Sequence, residues 1–95
     1  MKFKTDGNCF VCGAKNPNGL KLSFEINKEE QTLKTNFVAS PTFQGWDGFV
    51  HGGMISTLLD EAMAKLVYEL GFQAVTASLE IRFKKPAPIL EPLSV

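Results

Sequence analysis

At 95 residues the chain is one small domain, and chains of this size bury only about 60–70% of their unfolded surface. A composition that is 44% hydrophobic, with eight Phe, excludes an intrinsically disordered segment. Ten basic and ten acidic residues cancel, leaving no electrostatic footprint for nucleic acid or an anionic membrane, and no apolar run approaches the ~20 residues that cross a bilayer. Residues 1–4 lack a basic-then-apolar leader, so a cytoplasmic protein is expected.

Cys9 and Cys12 form a C-x-x-C that runs into Gly13 and the turn residues Asn16, Pro17, Asn18 and Gly19. Those turn residues favour a structural N-terminal loop. Two other readings stay open. A structural zinc needs four ligands, and His51 is the further candidate, so a metal would be shared across an oligomer. A redox pair would ordinarily open a helix after a strand.

Residues 20–27 alternate Leu20, Leu22, Phe24 and Ile26 with polar side chains, the period of a strand with one buried face. Residues 28–30 are a polar connection, and residues 31–39 repeat the alternation, so the two segments predict an antiparallel hairpin. The stretch from Ser40 to Val50 reads as a long loop, rich in glycine and aromatics. From Gly53 the period becomes helical. Apolar positions from Met54 to Leu70 cover more than half of the circumference, and Gly71 is a natural C-cap. A helix so widely apolar should be largely wrapped by sheet. Residues 75–85 alternate again and predict a third strand closed by Pro86 and Pro88, after which residues 90–95 begin another extended segment. Three strands are too few to wrap such a helix, so the single domain of residues 1–95 is expected to be C-terminally incomplete or covered by partner subunits.

The chemistry concentrates between these elements. His51, Gly52 and Gly53 join a permissive turn to a helix N-terminus, whose free N–H groups favour negative charge. That corner can hold a carbonyl oxygen as it becomes an oxyanion. Asp60, two turns further along, is placed to act on a water or an acyl carbon, and the combination outlines an acyl-transfer site. Each residue also has a plainer role. Asp60 could face water on a polar strip with Lys65 and Glu69; Gly52 and Gly53 could only permit a tight turn; His51 could hold that turn through its side chain. Glu61, about 100° round the helix, faces away from a substrate held at Asp60.

Taken together, the C-x-x-C-G start, residues 44–53, the run Leu58, Leu59, Asp60, Glu61, Ala62, and the strand end from Ile81 to Pro86 resemble the hotdog-fold thioesterase superfamily, in its phenylacetyl-CoA-thioesterase-like branch. The resemblance covers nearly the whole chain and is most specific between Gly48 and Asp60. It implies an α+β hotdog fold, an antiparallel sheet wrapped around one long central helix, here without the last strands. It also implies an acyl-CoA thioesterase acting as a homodimer or homotetramer, with active sites at the dimer interface and no metal or redox cofactor. By resemblance Asp60 is the general base or nucleophile, Gly52 donates the N–H that polarises the thioester carbonyl, His51 matches the family's histidine, and Thr76 falls where a hydroxyl positions water. Gln44 or Gly45 falls where some relatives place Asn. With Trp46 and Gly53 they would line the substrate site, and Arg82, Lys84 and Lys85 would meet CoA phosphates, although a solvated strand face is the plainer reading of those three cations. A hotdog dehydratase is disfavoured because His51 abuts the acid-bearing helix. A non-catalytic module that binds acyl-CoA or an aromatic ligand is the alternative from another class.

Overall fold

The computed structural model describes residues 3–95. Strand β1 (Glu25–Asn27) pairs antiparallel with β2 (Thr32–Lys34), and Ile26 lies opposite Leu33. Strand β3 (Asn36–Val38) pairs antiparallel with β4 (Pro92–Ser94), which sets Phe37 opposite Leu93. One long helix, α1 (Gly52–Glu69), preceded by a single 3-10 turn at Pro41–Phe43, connects β3 to β4 along the chain. Among the described residues no helix is long and apolar enough to cross a membrane.

The hairpin expected from residues 20–39 forms only in part. Lys21 adopts a left-handed backbone (φ 52°), which breaks the pleat. Leu20 and Leu22 instead donate their N–H groups to the carbonyls of Phe10 and Val11, at 2.8 and 2.9 Å. The second expected strand divides at Thr35. That residue exchanges two 2.9 Å backbone hydrogen bonds with Val95, and its buried hydroxyl donates to the Ser23 carbonyl at 2.7 Å. Thr35 is therefore the seam at which the chain leaves one strand pair and enters the other. The C-terminal segment, read from the sequence as a strand only just begun, closes that second pair.

The core gathers where the pieces meet the helix. Ala39, Leu58, Phe37 and Val50 are buried together, and the Phe37 and Phe43 rings meet edge to face with centroids 6.0 Å apart. Leu58 and Ala62 are the buried residues of α1, whereas Met63, Val67 and Tyr68 are exposed. The sheet thus covers one stripe of the helix, and the full wrapping expected from its apolar circumference is not present within a single chain. The helix stops where the sequence indicates: Gly71 takes φ 98°, its N–H reaches the Tyr68 carbonyl and the Phe72 N–H reaches that of Val67. This is a Schellman closure, which needs a residue tolerant of the left-handed region.

Residues 75–85 form neither helix nor strand, contrary to the alternation. The segment runs back along α1: Thr76 bonds Asp60, and the Phe83 ring lies against Gly52. A regular strand would put residues seven apart on opposite faces, so the segment changes face along its length. It pairs with no other strand among the described residues, and Val75 and Phe83 stay 70% and 58% exposed. Alternation marks a chain able to join a sheet, but joining takes a neighbour's backbone.

Leu58 is 2% exposed and belongs to the core cluster with Phe37, Ala39 and Val50. Leu58→Ala should cost about 2–5 kcal/mol, read as a lower midpoint in chemical denaturation.

Candidate active site

The loop before α1 is more ordered than its composition suggests. Gln44 and Val50 form an antiparallel bridge, and Gly45 and Phe49 are tied by a 2.9 Å backbone bond, so residues 44–50 make a miniature hairpin. Gly48 turns its tip at φ 84°, its N–H held by the Gln44 side chain at 3.2 Å. The Gln44 amide is thereby used inside the loop. Val50 N–H donates to the Ala87 carbonyl, which docks the hairpin on the segment leading to β4.

His51 then caps the helix. A helix N-terminus has four N–H groups without a helical acceptor. Here the His51 N–H reaches the Phe43 carbonyl, the Gly53 N–H donates to His51 Nδ1, and the Met54 N–H returns to the His51 carbonyl, all within 2.8–2.9 Å. The Gly52 N–H has no acceptor among the described residues. Because Nδ1 accepts, the ring's own N–H sits on Nε2. His51 thus holds the Gly-Gly turn, and Gly53 is part of that clasp: a Cβ on Gly53 would come within 3.1 Å of Nδ1.

Gly52 opens onto a cleft of about 850 Å³. Its body is apolar, formed by Phe49, Val50, Ile55, Leu59, Ile81 and Phe83. Its rim carries Arg82, Lys84 and Lys85, and no carboxylate lines it. Gly45, Trp46 and His51 complete the wall next to Gly52. Of the residues singled out in the sequence, the structure brings Gly45, Trp46, His51, Gly52, Arg82 and Lys84 to this cleft. Gln44 and Gly53 line a smaller recess of about 310 Å³ on the other side of His51. Lys85, which the sequence places with Arg82 and Lys84 among the candidate contacts for CoA phosphates, also reaches the cleft, whereas the alternation marks Ile81 and Phe83 only as one face of a strand that does not form.

Asp60 and Thr76 come together elsewhere. Asp60 is half-buried on α1, and the Thr76 hydroxyl donates to its Oδ1 at 2.5 Å. Neither residue lines the cleft. Eight residues separate Gly52 from Asp60, so within one chain they lie about 12 Å apart along the helix and about 80° round it. One thioester carbon cannot touch both in the same chain. The Thr76 bond leaves the other carboxylate oxygen for a further donor, so the pair can hold a water.

Glu61 turns the other way, to the N-terminal loop, where Cys9 Sγ donates to its carboxylate at 3.8 Å. His51, the further metal ligand expected from the sequence, is absent from that cluster, and Glu61 occupies the place instead. Burial pushes the Cys12 thiol up to about 12, with Glu61 and Cys9 beside it adding to the rise. Thioredoxin-type pairs open a helix, whereas Cys9 and Cys12 lie in turn and irregular backbone.

The family model of the thioesterase superfamily matches residues 47–95, which include the helix, most of the cleft lining and Asp60. The chain belongs to the thioesterase superfamily. It is 35% identical over 77 residues to the acyl-coenzyme A thioesterase THEM4 of Rattus norvegicus, covering 81% of this chain and 33% of that protein. With the acyl-coenzyme A thioesterase THEM5 of Mus musculus it shares 40% identity over 53 residues, 56% of this chain and 21% of that one. The chain spans about a third of the length of its THEM4 relatives. The crystal structure of protein RHA08564, a thioesterase superfamily protein, superposes with a TM-score of 0.84 at 27% identity, over 93% of this chain and 43% of that one. The helix and its antiparallel strand pairs are thus a hotdog-type α+β arrangement, in agreement with the resemblance read from the sequence.

Replacing His51 by Ala removes the cap and frees the Gly53 N–H. The expected cost is about 1 kcal/mol, measurable as a lower thermal midpoint, and His51→Asn, whose side chain can also cap, should recover most of it.

Proposed function

We propose that this domain hydrolyses acyl-CoA thioesters at a site completed by a second copy of itself. The observation that carries the reading is the unspent Gly52 N–H at the wall of an apolar cleft with a cationic rim. An acyl chain suits the body of the cleft, and CoA phosphates suit Arg82, Lys84 and Lys85. The thioester carbonyl would accept from Gly52 N–H, at the positive end of the helix, and its oxygen would gain charge there as the tetrahedral intermediate forms.

Asp60 of a partner copy supplies the base. A two-fold pairing of helices would give each Gly52 the carboxylate of the opposite protomer and so remove the ~12 Å separation within one chain. With Thr76 orienting a water, Asp60 takes its proton as oxygen attacks the acyl carbon, and CoA thiolate leaves. Direct attack by the carboxylate, with a transient anhydride cleaved by water, uses the same two residues. The exposed flank of α1 and residues 75–85 are the surfaces that such a pairing would cover.

A second reading rests on one observation: Asp60 and Thr76 stand outside the cleft. A domain that binds acyl-CoA without cleaving it needs the cleft and not the acid. Thiol release from aromatic, short-chain and long-chain acyl-CoA esters separates the two. Asp60→Asn should lower kcat by at least about 100-fold while binding persists, as expected for loss of a general base. Thiol release by the wild type no faster than the uncatalysed rate, with acyl-CoA still bound, would leave the binding module as the surviving reading.

Assembly of the site has its own test. Proline is tolerated at the first helical position, and His51, at φ −59° and ψ 136°, already has the backbone that a following proline requires. Gly52→Pro therefore deletes the one N–H with the helix left intact. Co-expressed with Asp60→Asn, it should regain about a quarter of wild-type turnover, because each mixed dimer rebuilds one complete site of its two. Both variants alone should be inactive, and absence of rescue in verified mixed dimers would refute the shared site.

The cationic rim predicts a separation of substrates. Replacing Arg82 and Lys84 together by Ala should raise KM for acyl-CoA about 3- to 30-fold, the weight of two exposed ion pairs. A short acyl thioester without phosphates should be turned over as by the wild type.

A further inference from the structure

Away from the cleft, the N-terminal loop and the third turn of α1 bring together Cys9, Cys12 and Glu61, whose two Sγ atoms and one carboxylate oxygen all lie within 4.8 Å of one another. The C-x-x-C-G segment is a tight knuckle rather than a slack loop. Gly13 N–H donates to the Cys9 carbonyl at 2.8 Å, and Lys15 N–H closes the turn on Gly7 at 2.9 Å. A Cβ on Gly13 would sit 2.4 Å from the Cys9 nitrogen and 2.5 Å from the Gly7 oxygen, so the knuckle cannot form with any other residue there. The bonds from Leu20 and Leu22 to Phe10 and Val11 fasten it to the rest of the chain. The two sulfurs are thus presented together, on the side facing the helix.

Three groups able to carry negative charge meet there without a cation. Lys65 lies one turn beyond Glu61, at a spacing that would suit an ion pair. It pairs with Glu69 instead, at 3.3 Å, and lies over the Tyr68 ring. That is the one ion pair among the described residues.

We propose that Cys9, Cys12 and Glu61 bind a zinc-type divalent ion, which clips the N-terminal knuckle to the catalytic helix. Two thiolates select a soft or borderline metal over calcium or magnesium. For zinc held at about 2.3 Å by sulfur and 2.0 Å by oxygen, tetrahedral geometry calls for donor atoms about 3.5 Å apart. The 3.8 Å between Cys9 Sγ and Glu61 is within a few tenths of an ångström of that value. Three protein ligands leave a fourth position for water, open toward the adjacent recess of about 600 Å³ lined by Asp6 and Lys4. On binding, each thiol releases its proton to solvent and the metal keeps its oxidation state. The ion is structural and lies outside the proposed hydrolysis.

The reduced protein, stripped with chelator and titrated with Zn²⁺ against a chromophoric competitor, should take up one ion per chain. Co²⁺ in its place should give the thiolate-to-metal charge-transfer absorption of a two-sulfur site. Cys9→Ser should abolish that absorption and weaken Zn²⁺ binding at least about 100-fold, since even outer partners of a metal site are worth 10–100-fold. Cys9 is exposed, so its variant should keep the fold, checked by circular dichroism. Glu61→Gln should weaken binding about tenfold or more and shift the visible Co²⁺ bands. The proposal is overturned if the reduced wild type takes up no stoichiometric metal, or if Glu61→Gln binds with unchanged affinity and spectrum. It also fails if the cysteines give only a disulfide.

Discussion

The first turn of α1 carries more N–H groups than a helix can satisfy by itself, and the way this chain distributes them sets up the rest of the molecule. His51 meets Phe43 through its own N–H, Gly53 through its ring and Met54 through its carbonyl. One donor, that of Gly52, is left pointing from the positive end of an eighteen-residue helix. The hairpin of residues 44–50 and the Phe83 ring shield its surroundings, and the cleft gives it an apolar setting where such a dipole counts for more than in water. A second cap at Gly52 would have stabilised the turn and closed the site.

The same helix keeps part of its apolar surface uncovered within a single chain. Its core stripe carries Leu58, packed with Phe37, Ala39 and Val50, and the buried Ala62, and β2 lies against the helix. Its other flank, with Met63 and Val67, is open, and residues 75–85 lie beside it with their backbone unpaired among the described residues. An apolar flank and an unused strand edge are both features that a second protein surface can satisfy. The helix geometry makes the same demand on the proposed chemistry, since Gly52 and Asp60 are too far apart to share a carbonyl. Stability and catalysis would then be gained in one step, by pairing.

Glu61 and Asp60 illustrate how one turn of helix can serve two purposes. Adjacent residues point about 100° apart. One carboxylate accordingly meets Thr76 and the other meets the cysteine knuckle. A metal clip at Glu61 would hold this turn from behind and fix the direction in which Asp60 points, without taking part in the reaction.

Much of this was determined by local residue order. The helix and its Schellman stop at Gly71, the turn at His51, the Gly-Gly corner and the acid two turns later depend on contacts within a few residues, so they can be read from spacing alone. The resemblance to hotdog thioesterases rests on the same short runs. Other features were decided only by tertiary structure. Residues 75–85 alternate as a strand should, but a ladder needs a second backbone; Thr35 splits a continuous alternating run because Val95 and Ser23 reach it from opposite sides. The joining of Cys9 and Cys12 to Glu61, rather than to His51, depends on a contact across 52 residues, for which no local period gives a sign. Periodicity reports what each segment prefers to bury; which partner buries it is a property of the folded chain.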